Sequence, residues 1–244
     1  MLNFLGIGSQ KCGTTWLFDK LKMHPRLYFP VGKEGNHWNH RFYLDDLHRN
    51  LYHAAMNGPV VDLSQYLCGE MTPEYAIMPL EQIAVLKQHH PDVQLFLMVR
   101  NPIDRAWSAI KMTYKYYKMD MAALTPERTI KGITTGKTAE LGRYDQILQN
   151  WLTYFKPEQL HILFFDDLAT GYRDILHHCC ETIGVSADFF DQIPDRLLAD
   201  PSMQGDRMSL SPDVYAACVE FYQPAIEFLA NYTGRDLAVW TGFS

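Results

Sequence analysis

The sequence predicts an α/β fold of three layers, a central parallel β-sheet with helices on both faces. Two patterns predict it. Short apolar runs at Asn3 to Gly8, Leu67 to Met71, Gln94 to Val99 and Leu160 to Phe165 have the length and continuous hydrophobicity of strands buried on both sides. They alternate with longer segments of helical period, as the crossovers between parallel strands require. With 244 residues, 47% of them hydrophobic, the chain can bury one sizeable core. No repeat, low-complexity tract or linker divides it, so one domain over residues 1–244 is expected.

The first strand runs straight into Gly8-Ser9-Gln10-Lys11-Cys12-Gly13-Thr14-Thr15-Trp16-Leu17. A strand that passes through glycines into a helix leaves backbone N–H groups unpaired at the positive end of the helix dipole, and such an end attracts an anion. Gly13 permits close backbone approach, Thr14 and Thr15 add hydroxyl donors, and Lys11 adds a charge. The fold is therefore P-loop-like. A Walker A loop, however, would carry its lysine directly after Gly13, where the following hydroxyl binds magnesium. Here the lysine precedes the turn, which suits a single phosphate and a group attached to it.

After the first helix comes Val31-Gly32-Lys33-Glu34-Gly35-Asn36-His37-Trp38, a loop-like stretch with a carboxylate and a histidine. The second strand leads into Gly69-Glu70-Met71-Thr72-Pro73-Glu74-Tyr75. The third ends in Arg100-Asn101-Pro102, placing Arg100 at the carboxyl end of a strand, where open α/β sheets bind ligands. Pro102 suits the first turn of a helix that carries Ser108, and an arginine beside a hydroxyl makes a compact site for a second phosphate. Lys111, Lys115 and Lys118 follow, interleaved with Tyr114 and Tyr117; as a local positive patch they would steer anions.

Between Met119 and Arg143 the periodicity lapses among Pro126, Gly132, Gly136 and Gly142, and an irregular segment is expected there and again from Pro194 to Pro212. Tyr144, Ile147, Leu148, Trp151, Leu152 and Phe155 mark one amphipathic helix, and Val214, Ala217, Cys218 and Phe221 mark another that starts at Ser211-Pro212.

A net charge of −6 argues against a nucleic-acid binder working through a general basic surface. Five scattered cysteines fit neither a disulfide scaffold nor a zinc site, so a reducing, cytoplasmic setting is expected. In His177-His178-Cys179-Cys180 only His177 and Cys180 share a helix face, and no metal is expected. No apolar run approaches the roughly 18 residues of a membrane span.

Two phosphate sites on one nucleotide indicate a 3′,5′-bisphosphate. Lys11-x-Gly13-Thr14-Thr15-Trp16 resembles the 5′-phosphosulfate loop, and Arg100-Asn101-Pro102-x-x-Arg105-Ala106-x-Ser108 the 3′-phosphate motif, of the sulfotransferases that use 3′-phosphoadenosine 5′-phosphosulfate (PAPS). The layout is similar to the heparan-sulfate-type and bacterial carbohydrate-type branches. The resemblance implies that Lys11, Gly13, Thr14 and Thr15 bind the 5′-phosphosulfate, that Arg100 and Ser108 bind the 3′-phosphate, and that Trp16 stacks on adenine. It further implies that Arg207, in Gly205-Asp206-Arg207, stands where relatives close a basic loop over the nucleotide. The base would be Glu34, which precedes His37-Trp38 at the family's aromatic pair, with His37 as its rival. The acceptor would be a hydroxyl or amine on a carbohydrate-like or small molecule, and the oligomeric state stays open. A magnesium-dependent nucleotide or metabolite kinase and a catalytically silent nucleotide-binding protein are the rival readings. The absent lysine after Gly13 opposes the first and the intact Glu34 the second.

Overall fold

The computed structural model describes residues 2–39, 65–199 and 210–242. Its sheet has five strands, β1 (Phe4–Gly8), β2 (Leu27–Tyr28), β3 (Leu67–Met71), β4 (Gln94–Val99) and β5 (Leu160–Phe164). They lie in the order β2-β3-β1-β4-β5 and every pair is parallel. The four strands read from the sequence are therefore present. β2 is an edge strand of two residues, too short to show a period.

β1 lies between β3 and β4, with Phe4 opposite both Gly69 and Gln94. The chain crosses from β1 to the edge strand β2, fills in β3 between them, and then crosses over to build β4 and β5 on the other side. That reversal opens a crevice at the carboxyl ends of β1 and its neighbours. Alternate residues divide between the two faces of the sheet. Leu5, Ile7, Leu95, Leu97 and Val99 join one buried cluster, while Phe4, Phe96, Met98, Met71 and Leu163 join the other. This is why the strands read as unbroken apolar runs.

The second cluster is covered by α1 (Thr14–Leu21) and α7 (Tyr172–Ile183), which contribute Trp16, Leu17, Leu21, Leu176, Cys179 and Cys180. The first is covered by α2 (Leu80–His89), α3 (Pro102–Tyr116), α6 (Tyr144–Leu152) and α10 (Pro212–Thr233). Among the described residues no helix is long and apolar enough to cross a membrane.

The segment expected to be irregular holds two helices, α4 (Pro126–Thr134) and α5 (Gly136–Glu140). Thr125 caps the first, accepting the Arg128 amide hydrogen at 3.3 Å, and Pro126 occupies its first turn. Gly132 sits inside α4 because a Cβ there would stand 3.1 Å from Ile110 Cδ1; the glycine marks close helix packing and not a break. Beyond α7, the short turns α8 (Asp188–Asp191) and α9 (Asp195–Leu198) pack against the second cluster. Arg173 holds them with hydrogen bonds to the Phe190 carbonyl, the Ile193 carbonyl at 2.7 Å and the Asp195 carboxylate at 2.5 Å.

A Cβ on Gly69 would stand 2.1 Å from two ring carbons of Phe4, on the neighbouring strand. Gly69→Ala is therefore expected to lower stability by about 1–3 kcal/mol, the usual range for overpacking a full core. The shift in the urea unfolding midpoint measures it.

Candidate active site

The loop after β1 is anchored from two sides before it turns. The Ser9 amide donates to the Met98 carbonyl at 2.8 Å, and the Ser9 hydroxyl donates to the Leu141 carbonyl at 2.6 Å. Gly13, at φ 89°, is the residue before α1, with no side-chain cap and no acidic residue in the first turn. The Leu17 amide reaches the Gly13 carbonyl, which leaves the amides of Thr14, Thr15 and Trp16 without intrahelical partners. Neither Thr14 nor Thr15 spends its hydroxyl on another described residue. Free amides, two hydroxyls and a dipole end together form an anion cradle.

Lys11 leans over this cradle at φ 69°, in the left-handed region that non-glycine residues seldom adopt. Its Nζ lies 3.7 Å from Met112 Sδ on α3, and it has no carboxylate partner among the described residues. Burial lowers its pKa below the ordinary lysine value, and the nearby charges of Arg100, Lys33 and Lys111 lower it further. Beneath the loop Cys12 is fully buried, its Sγ 3.8 Å from the Tyr144 hydroxyl. Burial pushes that thiol up to about 11, so it packs and does not react.

Arg100 follows β4 directly. Its backbone is clamped by Tyr144, whose hydroxyl donates to the Arg100 carbonyl at 2.7 Å and accepts the Arg100 amide hydrogen at 3.1 Å. The guanidinium lies over the Phe165 ring at 4.5 Å, which fixes its plane while leaving donors at its edge. Asn101 sets the start of α3: its Oδ1 accepts from the Ile103 amide at 3.0 Å, and its Nδ2 donates to the Tyr215 hydroxyl and the Trp240 carbonyl. Ser108 and Met112 are four apart on α3, so Ser108 shares the face that meets Lys11. The sequence motifs thus converge: loop, arginine and α3 face surround one opening.

The segment bearing Glu34 joins them. Lys33 makes an isolated parallel bridge to Met71, and the Glu34 amide donates to the Met71 carbonyl at 2.9 Å, so the segment adds to the carboxyl end of β3. Glu34 is also left-handed, at φ 60°. Its carboxylate is about half exposed and pairs with Lys33, which in turn lies close enough to Lys11 to repel it. Lys11 and Glu34, the two residues expected to do chemistry, are two of four non-glycine residues with positive φ among those described. Strained backbone of this kind gathers at functional sites. His37 is half-buried three residues on, packed near Gly35.

Trp16 does not present an open face to a nucleotide. It is 4% exposed in the core, and its indole N–H donates to the Leu198 carbonyl at 2.7 Å, the partner a buried indole requires. Arg207 lies outside the described residues. In the His177 to Cys180 run, His177 pairs with Asp191 at 2.8 Å while both cysteines are buried. Sequence reasoning missed Tyr144, Asn101, Phe165 and Ser9. Their partners are distant in sequence, and Tyr144 read simply as part of an apolar stripe.

The sulfotransferase domain matches residues 3–211 of the chain. The chain belongs to this family. It is similar to mouse (Mus musculus) carbohydrate sulfotransferase 15, 22% identical over 98% of this chain and 54% of that protein. It is also similar to mouse heparan sulfate glucosamine 3-O-sulfotransferase 6, 31% identical over 65% of this chain and 44% of that one. The chain thus spans about half the length of these relatives or less. A sulfotransferase from Alicyclobacillus acidocaldarius has the same fold, with a TM-score of 0.75 over 99% of each chain and 24% identity.

An anion seated in the cradle offsets the repulsion that lowers the Lys11 pKa, so that pKa rises on binding. Pyrophosphate binding should therefore take up protons at alkaline pH, and affinity should fall as pH rises through the free Lys11 value. Calorimetry in buffers of different ionisation enthalpy measures the uptake, which should vanish in Lys11→Met.

Proposed function

We propose that the chain transfers a sulfuryl group from PAPS to a hydroxyl or amine of a carbohydrate-like acceptor. The observation that carries this reading is the crowding of Lys11, Arg100, Lys33 and Lys111 at one opening of a protein whose net charge is −6. Cations set against one another, one of them partly buried, call for a ligand with several negative charges. The loop fits a 5′-phosphosulfate through its amides, Lys11, Thr14 and Thr15. Arg100 and Ser108, about the Lys11 side of α3, fit a 3′-phosphate. A hydroxyl or amine acceptor agrees with the carbohydrate and glucosamine substrates in the relatives' names. A cytoplasmic setting suits five thiols that are all free and buried.

The donor supplies a sulfuryl group already activated by its bond to phosphate. Transfer breaks that S–O bond, forms one to the acceptor and leaves the bridging oxygen with the nucleotide. Lys11 would stabilise the charge growing on that oxygen, a role that needs no metal. Glu34 would take the acceptor's proton, provided its pairing with Lys33 opens or the proton reaches the free oxygen.

The test is label transfer from radiolabelled PAPS across a panel of glycan and small-molecule acceptors. Adenosine 3′,5′-bisphosphate should bind far more tightly than adenosine 5′-monophosphate, because losing the 3′-phosphate leaves the Arg100 donors unpaired. Equal affinities by calorimetry would overturn the two-phosphate assignment.

With a hydroxyl acceptor, Glu34→Gln should keep bisphosphate affinity and lose roughly 10²- to 10⁴-fold in turnover, the range for a missing general base. A collapse in His37→Ala with near-normal turnover in Glu34→Gln would move the role to His37.

A further inference from the structure

The carboxylate of Glu70 takes no part in the chemistry proposed above, yet it is fully buried at the end of β3, directly under the segment that carries Glu34 and His37. A buried carboxylate is costly unless its oxygens are met by donors. Two hydroxyls meet one of them. Tyr75 donates to Glu70 Oε1 in a short hydrogen bond, and the Thr72 hydroxyl donates to the same oxygen at 3.2 Å.

Each hydroxyl also accepts one backbone N–H from the segment above. The Asn36 amide donates to Thr72 Oγ1 at 3.3 Å, and the Trp38 amide donates to the Tyr75 hydroxyl at 3.1 Å. Two chains therefore run in the same sense, amide to hydroxyl to carboxylate, and share one terminal oxygen. Because the carboxylate only accepts, it fixes the direction of both hydroxyls, and each then has a lone pair free for an amide. His37 lies between the two amides that are held, and Glu34 two residues before the first.

Gly35 shows how near the segment comes. A Cβ at that position would stand 3.0 Å from Glu70 Oε1 and 3.0 Å from Val31 Cγ2. The backbone on either side is left-handed, at φ 60° for Glu34 and φ 55° for Asn36, and such conformations persist only where surrounding contacts over-determine them. Asn36 adds one, donating from Nδ2 to the Glu34 carbonyl at 2.7 Å. Burial and the neighbouring carboxylate raise the Tyr75 pKa well above the ordinary phenol value, so its hydroxyl keeps its proton.

We propose that Glu70 is a positioning residue: through the hydroxyls of Thr72 and Tyr75 it holds the amides of Asn36 and Trp38, and so sets where the proton-accepting group of the 34–37 segment stands relative to Lys11. The inference rests on the sulfuryl-transfer reading for its catalytic consequence and on the hydrogen-bond chain alone for its structural one.

The experiment reads both in the full chain. Hydrogen exchange is followed across residues 33–39 and across β4 in Tyr75→Phe, Thr72→Val, Thr72→Ser and Glu70→Leu. Turnover is followed as bisphosphate release from PAPS with a desulfated heparan oligosaccharide as acceptor. Tyr75→Phe should speed exchange at Trp38, and Thr72→Val at Asn36, each by about fivefold to tenfold, the factor that one hydrogen bond's net worth allows. Glu70→Leu, which removes the acceptor at similar size, should speed both together, because both hydroxyls share its oxygen. Protection of β4 and calorimetric affinity for the bisphosphate should hold within twofold in all four, to about the precision of the comparison.

kcat should fall by up to roughly 10²-fold, as about 1 Å of misplacement can cost, with the donor KM unchanged and with Thr72→Ser restoring it. Unchanged exchange at residues 33–39, exchange that rises equally in β4, or a kcat loss that Thr72→Ser does not restore would each overturn the proposal. Wild-type protein that releases no bisphosphate would instead count against the sulfuryl-transfer reading, and the exchange arm would still decide whether Glu70 holds the segment.

Discussion

Like charges do not gather unless something rigid holds them, and this constraint organises the molecule. Lys11, Arg100, Lys33 and Lys111 lie close enough for the last three to depress the charge on the first. The scaffold that withstands their repulsion is β1, buried on both faces between β3 and β4. β1 and β4 deliver the lysine loop and the arginine to one edge of the sheet, and β3 receives the segment with Glu34 there. Without the reversal in strand order, the three would leave the sheet at separate places.

Lys11 and Arg100 are then fixed through backbone contacts, with no carboxylate bound to either charged end among the described residues. Ser9 ties the lysine loop to β4 and to Leu141; Tyr144 grips both the amide and the carbonyl of Arg100; Asn101 joins the start of α3 to Tyr215 and Trp240. The Arg100 side chain rests on an aromatic face, with no carboxylate to neutralise it at that contact. A salt bridge there would have stabilised the empty protein at the expense of anion affinity. Nearby counter-charge is weakened by burial, which raises the Asp104 pKa although the Arg100 charge lowers it.

The sheet and the two strand-to-helix junctions that bring Lys11 and Arg100 together were legible because their signals are local. A strand buried on both faces is one apolar run, and a glycine loop into a helix is contiguous in sequence. The same holds for Arg100 and Ser108, which belong to one strand-to-helix junction. What the sequence concealed depends on distant partners. Gly132 and Gly136 read as interruptions, yet one admits Ile110 against α4 and the other, at φ 59°, begins α5. Trp16 read as a nucleotide platform because it follows the loop threonines, and its burial becomes visible only with Leu198, 182 residues away. Tyr75 and Thr72 looked like the end of a strand motif, and only the return of the 33–39 segment gives their hydroxyls a purpose.

The two halves of the opening are attached to the sheet very differently. The lysine loop and Arg100 continue directly from β1 and β4, whereas the segment with Glu34 meets β3 through one bridge, one backbone bond at Met71 and two side-chain hydroxyls. Changes in residues 31–39 therefore need not propagate into the strands that present the cations. Such a division makes the fold evolvable: one side can drift in sequence while the other keeps its cations in place, so recognition can diversify without the core being rebuilt.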